Sequence, residues 1–287
     1  MLVDKLNKYL RLIRFDKPIG TLLLLWPTLW ALLVAYHGVI NFKVYFAFIM
    51  GVFLTRSAGC AINDFADVKF DGNVARTKNR PLVSGELRRR DALVVTLVLS
   101  VLALIIALIC LKTTTLLWTV PAFFIFVTYP FFKRFFPVPQ LYLAIAFSLG
   151  ILMAFVEAGV GINLNAILLF LANLFWVLAY DTIYALVDIK DDLKVGMKTS
   201  AITLGKFVIP IILISYIILI ILMVNVAYFE KFSAVFWICL AICTLLIIKI
   251  MIDIKDKNPE KCFKAFLFNN YIGMVLCVGF ALSYWLR

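Results

Sequence analysis

Carboxylates are scarce in this chain, with 16 Asp and Glu in 287 residues against 28 Lys and Arg. Charged residues of both signs make up only 15%, and 64% of residues are hydrophobic, which excludes an ordinary soluble globular domain. No Ser-, Gly- or Pro-rich linker divides the chain, so one domain over residues 1–287 is expected. The six cysteines include no C-x-x-C pair and lie in or near apolar stretches, so they are read as small packing residues. His37 is the only histidine and falls at the outer end of the first apolar stretch, an interfacial place. The net charge of +12 has no soluble basic domain to occupy, which removes nucleic acid from the expected partners.

What the chain does hold is membrane-length apolar sequence. A spanning helix needs about 20 mainly apolar residues. Nine candidates occur, near 20–38, 42–61, 92–111, 115–132, 138–159, 164–186, 207–229, 233–252 and 265–286. A charged amphipathic leader, Lys5 to Lys17, precedes the first, and no small-residue cleavage site follows it, so the leader is expected to be retained. With the N-terminus inside, 23 of the basic residues fall in inside segments and four outside, the remaining one being Arg56 within a span. That asymmetry predicts an all-α membrane protein of nine spans with a cytoplasmic N-terminus.

Six of the few carboxylates gather near the starts of two inside segments. Asp64, Asp67 and Asp71 fall in the first, 62–91; Asp188, Asp191 and Asp192 fall in the second, 187–206. Both are expected to be loops, with the second span continuing as helix through the first if its acids are to share a face. Asn63, Asp67 and Asp71 recur every four residues, Asp64, Asp67 and Asp71 fall at i, i+3 and i+7, and Asp188 and Asp192 repeat the fourfold spacing at an offset of 121, which places each set on one helical stripe. Basic residues follow each pair, then Gly85 and Gly205, so the two segments resemble halves of a weak internal duplication. Acids converging at a membrane surface attract a hard divalent cation, and Mg²⁺ binds phosphate oxygens together with one or two carboxylates. A diphosphate held through Mg²⁺ is the first functional expectation. Arg76, Lys78, Arg80, Lys133, Arg134 and Lys198 are candidates to neutralise that leaving group.

Two charges sit deeper. Arg56 lies seven residues before Asn63, and Asp181 seven before Asp188 with Tyr184 between them. An intramembrane arginine needs an anionic partner. That partner is either a carboxylate on a small acceptor substrate, matched by the planar guanidinium, or Asp181. Asp181 and Tyr184 are expected near the reacting acceptor.

Several strings resemble the UbiA-type intramembrane prenyltransferases over nearly the whole chain. They are the run from Arg56 to Asp67, Arg76-Thr-Lys-Asn-Arg-Pro-Leu82, Tyr180 to Asp188, Lys198 to Ile202, the leader Arg14 to Gly20, and Leu25-Trp-Pro27. The resemblance implies a nine-helix bundle around a central cavity open toward lipid. Asn63, Asp67, Asp71, Asp188 and Asp192 would match two magnesium-diphosphate motifs, with Asp64 joining the metal set and Asp191 the catalytic acids. Arg56 would match the contact to the acceptor carboxylate. The implied reaction carries a polyprenyl group from its diphosphate to the ring carbon ortho to the hydroxyl of 4-hydroxybenzoate, in ubiquinone biosynthesis; menaquinone-type, homogentisate and haem prenylation are the alternatives within the family. A carboxylate, Asp191 or Asp67, would take the proton. The implied location is a cell inner membrane, with the site facing the cytoplasm.

Two other classes compete. A CDP-alcohol phosphotransferase needs aspartates at 68, 89 and 93, where Val68, Arg89 and Leu93 stand. An ion-coupled transporter places its coupling charges near the midplane, where only Asp181 and Arg56 qualify.

Overall fold

The computed structural model describes residues 2–72, 76–132 and 134–286, and every regular element among them is helical. The amphipathic leader forms α1 (Leu2–Leu12). There follow α2 (Ile19–Ala35), α3 (Phe42–Asp71), α4 (Arg89–Cys110), α5 (Thr113–Phe132), α6 (Pro139–Ala158) and α7 (Leu164–Val195). A short α8 (Ser200–Leu204) and a 3₁₀ turn lead into α9 (Val208–Phe229), α10 (Ala234–Ile254) and α11 (Pro259–Trp285). Eight stretches are long and apolar enough to cross a bilayer; α2, with 17 residues and an internal Pro27, is shorter.

Two helices outrun the membrane. At 1.5 Å per residue, the 30 residues of α3 and the 32 of α7 reach about 45 and 48 Å, against a hydrocarbon core of about 30 Å. Both acidic segments therefore begin on helical extensions and not in loops, which corrects the expectation for 187–192 and bears on 62–71. Nothing in either extension breaks a helix until Gly72 and Gly196. Gly196, at φ +70°, caps α7 in the left-handed conformation that glycine tolerates.

The core lies where α2, α7, α9, α10 and α11 meet. Trp30, Trp176, Tyr216, Phe236 and Phe280 are fully buried there. Bundle helices in lipid gain from close approach and from satisfied polar groups, since no water is present to pair them. Asn269 accepts from Trp176 Nε1 (3.1 Å) and Tyr216 Oη (2.8 Å), and Asn270 accepts from Trp26 Nε1 (2.8 Å). Gly273 lets α11 touch α2 and α7: a Cβ there would lie 2.5 Å from Trp26 Cδ1 and 2.6 Å from Trp176 Cη2. By contrast, α4 buries only Ala92 and turns its leucines and valines outward, as a lipid-facing helix does.

Gly273→Ala is expected to lower stability by about 1–3 kcal/mol through overpacking. Gly51→Ala, where a Cβ meets nothing within 4 Å, is expected to change it little. Thermal unfolding in detergent compares the two.

Candidate active site

The face of α3 carrying Asn63, Asp67 and Asp71 opens onto a cavity of about 1310 Å³. Asp64, Asp67 and Asp71 are buried at 1%, 3% and 6% exposure, so each needs a compensating partner. Arg14, from the turn after α1, sets Nη2 2.7 and 2.9 Å from the two oxygens of Asp64. Arg80 Nη1 lies 3.0 Å from Asp64 Oδ1 and 2.6 Å from Asp71 Oδ2. Arg80 can reach them because its loop folds back over the end of α3. Thr77 Oγ1 donates to the Asp71 carbonyl (2.8 Å), and Leu82 and Leu87 pack with Ala61 and Leu12.

The same loop bridges to α7. Arg76 holds Asp188 with Nη2 at 2.5 Å from Oδ2 and Nε at 3.2 and 3.1 Å from the two oxygens. Its guanidinium also lies over the Tyr184 ring, 4.7 Å from the centroid. Desolvation works against the Arg76 charge, but Tyr184, Asp188 and Asp71 outweigh it, and its pKa lies above the ordinary arginine value. Asp181, Tyr184, Asp188 and Asp192 all line the cavity from α7. After Gly196 the chain closes the rim. Lys198 Nζ donates to the Phe135 carbonyl (3.1 Å), Ser200 N donates to Gln140 Oε1 (2.8 Å), and Thr203 Oγ1 donates to the Pro137 carbonyl (2.5 Å).

Beneath this charged mouth the chamber becomes apolar and aromatic, with Phe48, Phe126, Phe147, Phe263 and Phe266 in its wall. It reaches the lipid-facing surface along α4 and α5, where Leu97, Val120 and Phe123 line it and are more than half exposed. Arg56 stands in the wall with Asp181 and Tyr129. Its Nη1 lies 2.8 Å from Cys60 Sγ, a weak acceptor, and its buried Nε has no hydrogen-bond partner. Gly20 leaves room for this side chain, since a Cβ there would sit 2.7 Å from Arg56 Nη2.

The structure sorts the expected residues. Asn63, Asp64, Asp67, Asp71, Asp188, Asp192, Arg76, Arg80, Lys198, Arg56, Asp181 and Tyr184 all line one cavity. Three others stand off its wall. Asp191, 100° around the helix from Asp192, pairs with Lys194 at 3.1 Å. Lys78 is exposed, and Arg134 reaches the Ala66 carbonyl at 3.1 Å. Lys133 lies outside the described residues. Tyr184 engages Arg76 and Phe266 through its ring, which places it at the mouth and not only beside the deeper acceptor region. Arg14, Tyr129 and Gln140 were not anticipated as site residues. Arg14 looks like one more inside-facing charge, and the other two reach the cavity only through packing of α5 and α6.

The donor set suits a hard cation, because it consists of carboxylate and amide oxygens. Among the described residues, no group of three His, Cys, Asp or Glu side chains is gathered closely enough to hold a metal unaided. Guanidinium groups stand between the carboxylates instead. That geometry fits Mg²⁺ arriving with phosphate oxygens and needing one or two carboxylates from the protein. Arg80→Met is expected to cost about 1–3 kcal/mol, because it strips a charged partner from buried Asp64 and Asp71. Adding Asp71→Asn should recover part of the loss, a coupling readable in a thermal double-mutant cycle.

Comparison with known proteins gives consistent relationships. The UbiA prenyltransferase family profile matches residues 24–272. The 4-hydroxybenzoate octaprenyltransferase of Neisseria meningitidis is 49% identical, over 96% of this chain and 92% of its own. The same-named proteins of Nitrosomonas europaea (49%; 98% and 96%) and Cupriavidus pinatubonensis (45%; 99% and 99%) are similar throughout. Among solved structures, the fold matches a UbiA homologue from Aeropyrum pernix with a TM-score of 0.78 at 24% identity, covering 89% of this chain and 96% of that one. It also matches one from Archaeoglobus fulgidus bound to GPP and Mg²⁺, with a TM-score of 0.69 at 20% identity, covering 96% and 99%.

Proposed function

Because the chain belongs to the UbiA prenyltransferase family, we propose that it transfers a polyprenyl group from polyprenyl diphosphate to the carbon ortho to the hydroxyl of 4-hydroxybenzoate. Diphosphate is released, and the step belongs to ubiquinone biosynthesis. The observation that carries this reading is one cavity with a mouth of acids and arginines over an aromatic chamber holding a buried guanidinium. Relatives of that name at 45–49% identity over nearly full length support the acceptor.

In this mechanism Asn63, Asp67, Asp71, Asp188 and Asp192 hold a magnesium-diphosphate, while Arg76, Arg80 and Lys198 meet its oxygens. Mg²⁺, when bound, neutralises the diphosphate and improves it as a leaving group. The C1–O bond breaks, and Phe126, Tyr129, Phe263 and Phe266 shelter the allylic cation from water. Arg56 takes the acceptor's carboxylate, because it is a buried cation with a free donor in the chamber wall. That holds the phenol ring so that its ortho carbon forms the new C–C bond. The ring proton passes to a carboxylate, Asp67 or Asp191; the cavity-lining position of Asp67 supports the first, and Asp191 pairs with Lys194. The opening along α4 and α5 lets a tail too long for the chamber extend into lipid.

Topology completes the proposal. Counting α2, whose 17 residues span about 26 Å, the chain crosses nine times. The excess of Lys and Arg at the acidic end supports a cytoplasmic N-terminus and active site, in an inner membrane.

A detergent assay crossing aromatic acids with prenyl diphosphates, read by mass spectrometry, tests the reaction. Prenylated 4-hydroxybenzoate is the expected product, and turnover of another acceptor alone would reject the assignment. Arg56→Ala is expected to raise the KM for the aromatic acid by about 10- to 100-fold, the worth of one charge-assisted contact, and to leave the KM for prenyl diphosphate near its original value. Unchanged acceptor kinetics would remove Arg56 from that role. EDTA, Asp67→Ala and Asp188→Ala should each abolish turnover, and activity that survives thorough chelation would contradict a metal-held diphosphate.

A further inference from the structure

Asp64 stands about 20° from Asp71 and about 60° from Asp67 around α3, and it lines the same cavity. It is the most buried of the acids, and guanidinium groups fill both its oxygens. Oδ1 takes Arg14 at 2.7 Å and Arg80 at 3.0 Å, and Oδ2 takes Arg14 at 2.9 Å. Two guanidinium groups hold Asp64, against the single Arg76 on Asp188, so Asp64 has the most to lose by turning to a cation. The other partner is placed with equal care. Arg14, at φ +58°, is the left-handed residue of the turn that ends α1, where Phe15 N donates to the Leu10 carbonyl (2.9 Å). Tertiary contacts hold that turn in place. Leu12 is fully buried in a cluster with Ala61, Leu82 and Leu87, Arg11 pairs with Glu86, and Arg14 Nη1 donates to the Arg11 carbonyl at 2.8 Å. Thus α1 is strapped across the end of α3 and carries Arg14 to the cavity wall.

We propose that Asp64 and Arg14 are a positioning pair for the diphosphate group. Asp64 is the anchor that aims Arg14 and Arg80 at the anion and is not itself a metal ligand, and Arg14, delivered by the N-terminal strap, is the third arginine of the mouth. This rests on the functional reading above, but its failure is separable from failure of that reading.

The test is calorimetric binding of inorganic pyrophosphate to the full-length protein in detergent at several Mg²⁺ concentrations. Asp64→Asn and Arg14→Gln are each expected to weaken binding about tenfold or more at every Mg²⁺ concentration, the loss of one charge-assisted contact. The dependence of log affinity on log Mg²⁺, which counts ions taken up with the ligand, should keep its slope. In Asp67→Asn that slope should fall. The double variant should bind about as weakly as Asp64→Asn alone, because Arg14 acts through its anchor. Arg14→Lys, which keeps the charge and loses the fork, should show a smaller loss at an unchanged melting temperature, and it carries the test if Arg14→Gln unfolds. In turnover assays the KM for the aromatic acid should not move. A reduced Mg²⁺ slope in Asp64→Asn, unaltered affinity in the Arg14 variants, or additive losses would overturn the pair. Wild-type protein that binds no pyrophosphate at any Mg²⁺ concentration would instead sink the functional reading, and the pair with it.

Discussion

Everything at the mouth of this molecule depends on balancing carboxylates that have been taken out of water. Three acids of α3 are nearly inaccessible, and an unpaired buried charge would cost several kcal/mol. The balance comes from elsewhere in the chain: Arg14 from the N-terminal turn, and Arg76 and Arg80 from the loop after α3. The pairing thereby fastens α1, that loop and α7 together around one opening.

A second constraint acts deeper, where lipid surrounds the bundle and every polar group must find a partner inside it. The core obeys: Asn269 and Asn270 meet indole and phenol donors. Exceptions include Tyr45 Oη, Asn173 Oδ1, Tyr180 Oη and Arg56, the last with a buried Nε left unanswered and a thiol as its hydrogen-bond acceptor. The fold nevertheless makes space for it, through Gly20 on α2. The charged groups thus stand at two depths, the acids and arginines at the mouth and Arg56 within the aromatic chamber.

How legible this was varied with the distance over which each feature is determined. The fourfold spacing of Asn63, Asp67 and Asp71 and of Asp188 and Asp192 announced one face per helix, because 3.6 residues per turn is a local property. The ends of the helices were less visible. The acidic segments carry too much charge to register as membrane, yet no helix breaker occurs before Gly72 and Gly196, so α3 and α7 continue past the lipid. Neighbours in sequence were also easy to group wrongly. Asp191 and Lys78 adjoin residues on the cavity wall but point elsewhere, since adjacent helical residues diverge by about 100° and a loop side chain follows its turn.

Composition, hydropathy and the basic-residue count thus determined the membrane class, and the repeated acid spacing determined which helix faces the acids share. The UbiA strings pointed to the family. Only the tertiary structure decided that Arg14 belongs to the first acidic cluster, that Arg76 bridges to the second, and that Tyr129 and Gln140 join the wall. The reason is physical: the partner of a buried charge is set by where helices fifty or a hundred residues apart come to pack, and no local periodicity records that.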